Sequence, residues 1–217
     1  IEGWLRHEDG GVSLVIPTFN EAESLTELLP RIGAVFSAVP HEIIIVDDKS
    51  RDSSLEKAEG LCEAHGEIKL VRHDVNQGKG AAMRSGFENA TGDIVIVQDA
   101  DLEYDPAEYE KLLKPVLNFN ADIVMGSRLV ASPCTRVSYF WHKLGNRFIT
   151  FVFNILNNTT FTDIYSCYLL YRRDLVGADD LVTDGWEQQA EILSRAVAKA
   201  KAIYEVPVSY YGRTYDE

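Results

Sequence analysis

Cysteine is scarce: Cys62, Cys134 and Cys167 are the only three in 217 residues, and no C-x-x-C pair occurs. An odd number at such long spacings excludes a disulfide framework and a thiolate zinc site, and fits reduced thiols. Positive charge is in deficit, with 21 Lys and Arg against 34 Asp and Glu and a net charge of −13. That balance argues against a nucleic-acid partner, which needs a basic surface to release counterions, and against docking on an anionic membrane through overall charge. No uncharged apolar run of about 18 residues occurs, so no segment suits a bilayer-spanning helix. No secretory signal opens the chain, and residues 1–11 read as a polar N-terminal extension or trimmed end.

Several catalytic signatures are missing as well. The glycines of Asn76-Gln77-Gly78-Lys79-Gly80 fail G-x-G-x-x-G, because Met83 stands where the third glycine would be. The phosphate-loop pattern G-x-x-x-x-G-K-[ST] is absent, so a nicotinamide enzyme and a P-loop ATPase both lose support. Neither G-x-S-x-G nor H-E-x-x-H occurs, and His7, His41, His65, His73 and His142 are scattered. Hydrolase readings therefore lack their key part. There is no internal repeat, low-complexity tract or linker.

What is present is an alternation of strand and helix patterns. Hydrophobic residues make up 46% of the chain, enough for a proper core. Strands are predicted at Val12–Ile16, Glu42–Val46, Ile68–Val71, Asp93–Val97, Ala121–Met125, Cys167–Tyr171 and Ala202–Val208. Helices are predicted from Asn20, as its cap, to Phe36, then over Ser53–Ala64, Gly80–Asn89, Pro106–Phe119, Ser138–Leu156 and Trp186–Ala198. Ser50 or Asp52 is the expected cap of the second helix. Strands that are apolar without alternation, separated by helices, imply an α/β fold with a mostly parallel sheet buried on both faces. Ligands of such sheets bind beyond the carboxyl ends of the strands. Residues 17–21, 47–48, 99–103 and 126–128 all follow strands directly and are expected to meet on one edge.

Those strand ends carry the chemistry. Asp99 and Asp101, two residues apart past a very apolar strand, suit a hard divalent cation presented to phosphate oxygens, with Glu103 available to complete the shell. An acidic loop after a strand looks the same by itself; the other polar strand ends tip the balance. Asp47 or Asp48 is placed to accept from a base N–H or a ribose hydroxyl. Gly78 and Lys79 open a helix whose N-terminus favours an anion. In the predicted helix 138–156, Phe140, Leu144, Phe148, Phe151 and Ile155 recur on one face, which either packs on the sheet or lies at a lipid interface. Arg136, His142, Lys143 and Arg147 add local positive charge beside it.

Taken together, Val15-Ile16-Pro17-Thr18-Phe19-Asn20-Glu21, Val46-Asp47-Asp48-Lys49-Ser50-Arg51-Asp52, Asn76 to Ala82 and Gln98 to Glu103 resemble the family 2 glycosyltransferases. The nearest group is the dolichol-phosphate mannose synthases and polyprenyl-phosphate sugar transferases. Gly126-Ser127-Arg128, Gly145 to Phe148, Thr162-Asp163 and Tyr204 to Thr214 fit too. The resemblance covers residues 12–217. It implies a single GT-A domain, with a nucleotide-sugar half at about 12–128 and an acceptor half at about 129–217. The implied reaction is an inverting, metal-dependent transfer of mannose or glucose from GDP-mannose or UDP-glucose to a polyisoprenyl phosphate. By resemblance, Pro17, Phe19, Glu21 and Asp48 belong to the nucleotide pocket, and Asp99, Asp101 and Glu103 to a Mg²⁺ or Mn²⁺ site. Arg128 and Arg213 are phosphate-facing, and Asn146 lies at the acceptor site. A peripheral position at the cytoplasmic face of a membrane follows, with any membrane-embedded tail or partner lying beyond this chain. Two alternatives stay open: a hydroxyl acceptor with Asp163 as base, and a nucleotide-sugar-binding protein without turnover. Lys49 replaces the family's usual glycine in Asp-Gly-Ser, and Glu103 stands where mannose synthases commonly have Gln.

Overall fold

The computed structural model describes residues 11–36, 39–130 and 139–212. Their order is β1 (Val12–Thr18), α1 (Ala22–Phe36), β2 (His41–Asp47), α2 (Ser54–Ala64), β3 (Ile68–Arg72), α3 (Lys79–Asn89), β4 (Ile94–Val97), α4 (Tyr109–Phe119), β5 (Ile123–Ser127), α5 (Phe140–Asn157), β6 (Leu169–Arg172), α6 (Gln188–Val197) and β7 (Ile203–Pro207). Each falls within a few residues of its predicted place. Pro106 opens a short 3₁₀ turn, capped by Asp105, that leads into α4.

The seven strands form one sheet in the order β3-β2-β1-β4-β6-β5-β7. All neighbours run parallel except β6, which is antiparallel to both β4 and β5. Alternate residues of the strands point to opposite faces, and both faces are covered. Leu14, Ile16, Ile43 and Ile45 meet α1, α2 and α4 on one side. Val15, Ile44, Val95 and Val97 meet α3, Phe153 of α5 and α6 on the other. The strand order reverses between β1 and β4, which is where a crevice opens at the carboxyl edge of such a sheet.

One sequence expectation fails here and one open alternative is decided. Asn20 does not cap α1: it adopts a left-handed φ of +58°, and the free N–H groups before the helix are met from the next loop. Ser50 Oγ accepts from Asn20 N, Ser54 Oγ from Glu21 N and Asp52 from Ala22 N. A chain turning sharply out of β1 puts these donors against the β2–α2 loop, so that loop caps α1. Ser50 is thereby taken from α2, whose first turn is met by Asp52 through Ser54 N.

The second concerns α5. Phe140, Leu144, Phe148, Phe151 and Ile155 do not pack on the sheet; they are between 46% and 69% exposed. The inward stripe is instead Asn146, Thr150, Phe153 and Asn157, of which only Thr150 and Phe153 are buried. Asn157 accepts from Ser194 of α6 at 2.7 Å and Asn154 donates to the Phe161 carbonyl. The helix is inside out: amides and a hydroxyl share its inner stripe, and rings and aliphatics face outward. No helix among the described residues is long and apolar enough to cross a membrane.

Candidate active site

The four strand-end segments converge as topology requires. Asp48 N donates to the Thr18 carbonyl at 2.9 Å, joining the ends of β1 and β2. Lys79, at the start of α3, reaches the end of β4, where its ammonium lies 2.5 Å from Asp99 Oδ1. Pro17 is the next-to-last residue of β1, Phe19 and Glu21 follow that strand, and Phe19 is 41% exposed.

Asp47 and Asp48 are both buried but differ in state. Asp48 accepts from Gln77 N and Gly78 N at 2.8 Å and from His73 Nδ1 at 2.7 Å. His73 is itself fixed by Ser85. Asp48 thus holds the glycine turn rather than offering a free carboxylate. Asp47 keeps one oxygen for Ser50 N, and its Oδ1 is buried with no partner. That orphaned acceptor is where a donor N–H or hydroxyl is missing. Lys49, in the place of the usual glycine, adopts the left-handed conformation glycine takes freely, with φ +62°.

The N-terminus of α3 is likewise filled from within. Beyond the Asp48 carboxylate, the Asp184 carbonyl accepts from Gly80 N at 2.8 Å. A Cβ on Gly80 would lie 2.5 Å from the Asp184 carbonyl carbon. The glycines admit a neighbouring protein backbone at this helix end.

Asp99 and Asp101 sit on a turn locked by Gln98. The Gln98 amide donates to the Asp99 carbonyl at 2.8 Å and accepts from Tyr109 at 2.6 Å, wholly buried. Burial and then the neighbouring Asp99 charge push the Asp101 carboxyl up to about 6. Burial alone would lower Lys79, but Asp99 reverses this and leaves it above the ordinary lysine value. Glu103 faces Tyr210, whose hydroxyl donates to it at 2.7 Å. Among the described residues no three His, Cys, Asp or Glu side chains are grouped as a metal cage. The crowded Asp99–Asp101 pair still fits Mg²⁺ or Mn²⁺, since such ions keep one or two protein carboxylates and take further oxygens from phosphate and water.

Arg128 and Asp163 form one unit. Arg128 Nε and Nη2 bond the two Asp163 oxygens at 2.6 and 2.9 Å, and Asn146 of α5 adds a bond at 3.0 Å. Asp163 is 0% exposed. Burial favours its neutral form, yet the bonds from Arg128 and Asn146 outweigh that and hold it below the usual carboxylate range. With the Arg128 N–H donating at 3.3 Å as well, each Asp163 oxygen accepts two bonds and the carboxylate is fully engaged. The Arg128 guanidinium also lies 5.3 Å from the Tyr210 ring centroid. Arg213 and Arg136 lie outside the described residues, as does Cys134; Cys62 and Cys167 are free thiols.

The profile of Glycosyl transferase family 2 matches residues 13–178. The chain belongs to that family. Among family 2 relatives, it is 33% identical over 201 residues to a dolichol-phosphate mannosyltransferase of Pyrococcus furiosus, covering 92% of this chain and 56% of that protein. It is 37% identical over 172 residues to an undecaprenyl-phosphate 4-deoxy-4-formamido-L-arabinose transferase of Pseudomonas fluorescens, covering 77% and 48%. The chain thus spans about half the length of the curated relatives it matches. Glucosyl-3-phosphoglycerate synthase of Mycobacterium tuberculosis, solved with Mn²⁺, UDP and its product, superposes with a TM-score of 0.68 at 18% identity, over 95% of this chain and 74% of that one. At that identity the likeness concerns the fold, which is GT-A.

Proposed function

We propose that this chain is the catalytic domain of an inverting glycosyltransferase that moves mannose or glucose from GDP-mannose or UDP-glucose to a polyisoprenyl phosphate. The relatives named for dolichol and undecaprenyl phosphate support the acceptor class. Within this chain, the observation that carries it is the Arg128–Asp163 clamp. A hydroxyl acceptor needs a base, and Asp163, its best candidate, is buried in a bidentate ion pair. A phosphate acceptor is already an anion and needs none, so catalysis rests on positioning and charge stabilisation.

The residues take the following parts. Asp47 Oδ1 accepts from the donor base or ribose, with Pro17, Phe19 and Glu21 lining that end. Asp48 acts indirectly, by holding Gln77 and Gly78. Asp99 and Asp101, with Glu103 nearby, would hold Mg²⁺ or Mn²⁺, which when bound neutralises charge on the departing diphosphate. Lys79 supplies a further cation at Asp99. Arg128, oriented by Asp163, presents positive charge to a phosphate, and Arg213 serves the same end from the chain terminus. The outward apolar face of α5, flanked by exposed His142, Lys143 and Arg147, meets the lipid surface at the cytoplasmic face of a membrane.

The test is transfer of labelled sugar, with Mn²⁺, to polyprenyl phosphate in vesicles. The expected product partitions into the organic phase and is labile to mild acid, and Asp101→Ala abolishes it. Equal transfer to water-soluble glycans, with vesicles neither binding the protein nor accepting sugar, would overturn this reading.

A further inference from the structure

Trp186 is left 71% exposed by a backbone that is otherwise tightly held. The turn before it is anchored three times: Asp184 O to Gly80 N at 2.8 Å, Asp184 Oδ1 to Arg84 at 2.7 Å, and Thr183 O to the Gln188 amide at 2.8 Å. The approach of Asp184 to Gly80 leaves no room even for a Cβ. A large apolar ring in water gains nothing for the fold, so rigid support beneath an exposed indole is the construction of a binding anchor. The indole closes one wall of a small pocket lined also by Met83, Tyr165 and Gln189.

Its position selects the ligand. The Lys79 ammonium is 4.7 Å from the indole centroid and 2.5 Å from Asp99 Oδ1. One cation therefore touches both the ring and the carboxylate assigned to the diphosphate. The group bonded directly to that diphosphate is the hexose of the donor, which pairs an apolar C–H face with hydroxyls. An indole with the Lys79 ammonium beside it matches both. The nucleoside end is elsewhere, at Asp47. An isoprene chain is a poor occupant, because the ammonium against the ring would lie against hydrocarbon.

Resting on the donor reading above, we propose that Trp186 is the platform for the sugar ring of the nucleotide sugar and a determinant of donor specificity. Trp4→Phe with Trp141→Phe leaves Trp186 as the one remaining of three tryptophans. Its fluorescence should change more with UDP-glucose or GDP-mannose than with UDP or GDP, each with Mn²⁺. By calorimetry, Trp186→Ala should weaken the nucleotide sugar about fivefold to tenfold while leaving the nucleoside diphosphate unchanged, with Trp186→Phe between. Equal loss for both ligands, or loss for neither, overturns the platform while the donor reading stands. A raised requirement for polyprenyl phosphate with donor binding intact also overturns it, and assigns the indole to the acceptor. If the wild type binds neither nucleotide sugar, the donor reading fails and the platform with it.

Discussion

Helix α1 buries Leu25, Leu28, Ile32 and Phe36 at 1% exposure or less, whereas α5 leaves Phe140, Phe148, Phe151 and Ile155 at 60–69%. Both helices carry their apolar residues at spacings of three and four. The stripe of α1 is pressed on β1 and β2 and is capped from the β2–α2 loop. The stripe of α5 points away from the sheet, and the opposite face makes polar contacts to α6 and Asp163. Periodicity fixes that a helix has an apolar face; which medium the face meets is set by the polar residues opposite it.

This contrast is open to direct attack. The widest gap should separate Leu28→Ala, expected to cost about 3–5 kcal/mol in chemical denaturation, from Phe148→Ala, expected to stay within about 0.5 kcal/mol. The second variant should instead weaken sedimentation with vesicles, and Phe151→Glu should abolish it without lowering the unfolding midpoint. Next comes the clamp that ties α5 to the sheet. Arg128→Met leaves the Asp163 carboxylate buried without its counter-charge and should cost about 3 kcal/mol, together with transfer activity. On the α3 side of the sheet, where β1 and β2 begin, Glu42 gathers bonds from Ser13, Thr91 and Lys69. Burial works against its ionisation, but these bonds bring it down to about 2 from 4.5. Because the folded value is the depressed one, this contribution is complete above the unfolded value and is lost as pH falls through about 4.5 to 2. Glu42→Gln should flatten the acid limb of a stability–pH curve over that range. The smallest effect is a gain: Lys49→Gly relieves a left-handed residue and should add roughly 0.5–1 kcal/mol.

How far the sequence carried can be judged from particular residues. Runs such as Ile43–Val46 and Ile94–Val97 are apolar at every position, and only a strand buried on both faces satisfies that. The convergence of Asp47, Asp99 and Arg128 followed from their places after strands. The direction of Leu169–Arg172 was not legible, because a four-residue strand with both faces covered reads the same either way. His73 was passed over since nothing local marks it; its meaning comes from Asp48, 25 residues away, and Ser85. Gln98 carried a usable signal, a polar side chain closing an apolar strand directly before Asp99. No local pattern announces that the Asp48 carboxylate and the Asp184 carbonyl will accept from the start of α3.

The antiparallel insertion of β6 bears on how the chain reaches this state. β5 pairs only with β6 and β7, and β4 borders β6 on its outer side. A nascent chain that has emerged through Ser127 can close β3-β2-β1-β4, but its fifth strand has no neighbour until residues 169–172 thread between two strands already made. That step closes a long loop carrying the whole of α5, and long-range strand pairing is slow. The exposed rings of α5 are thus presented to their surroundings before the strands that follow it are in place, so a lipid surface offered during refolding should accelerate or divert the last phase rather than the first.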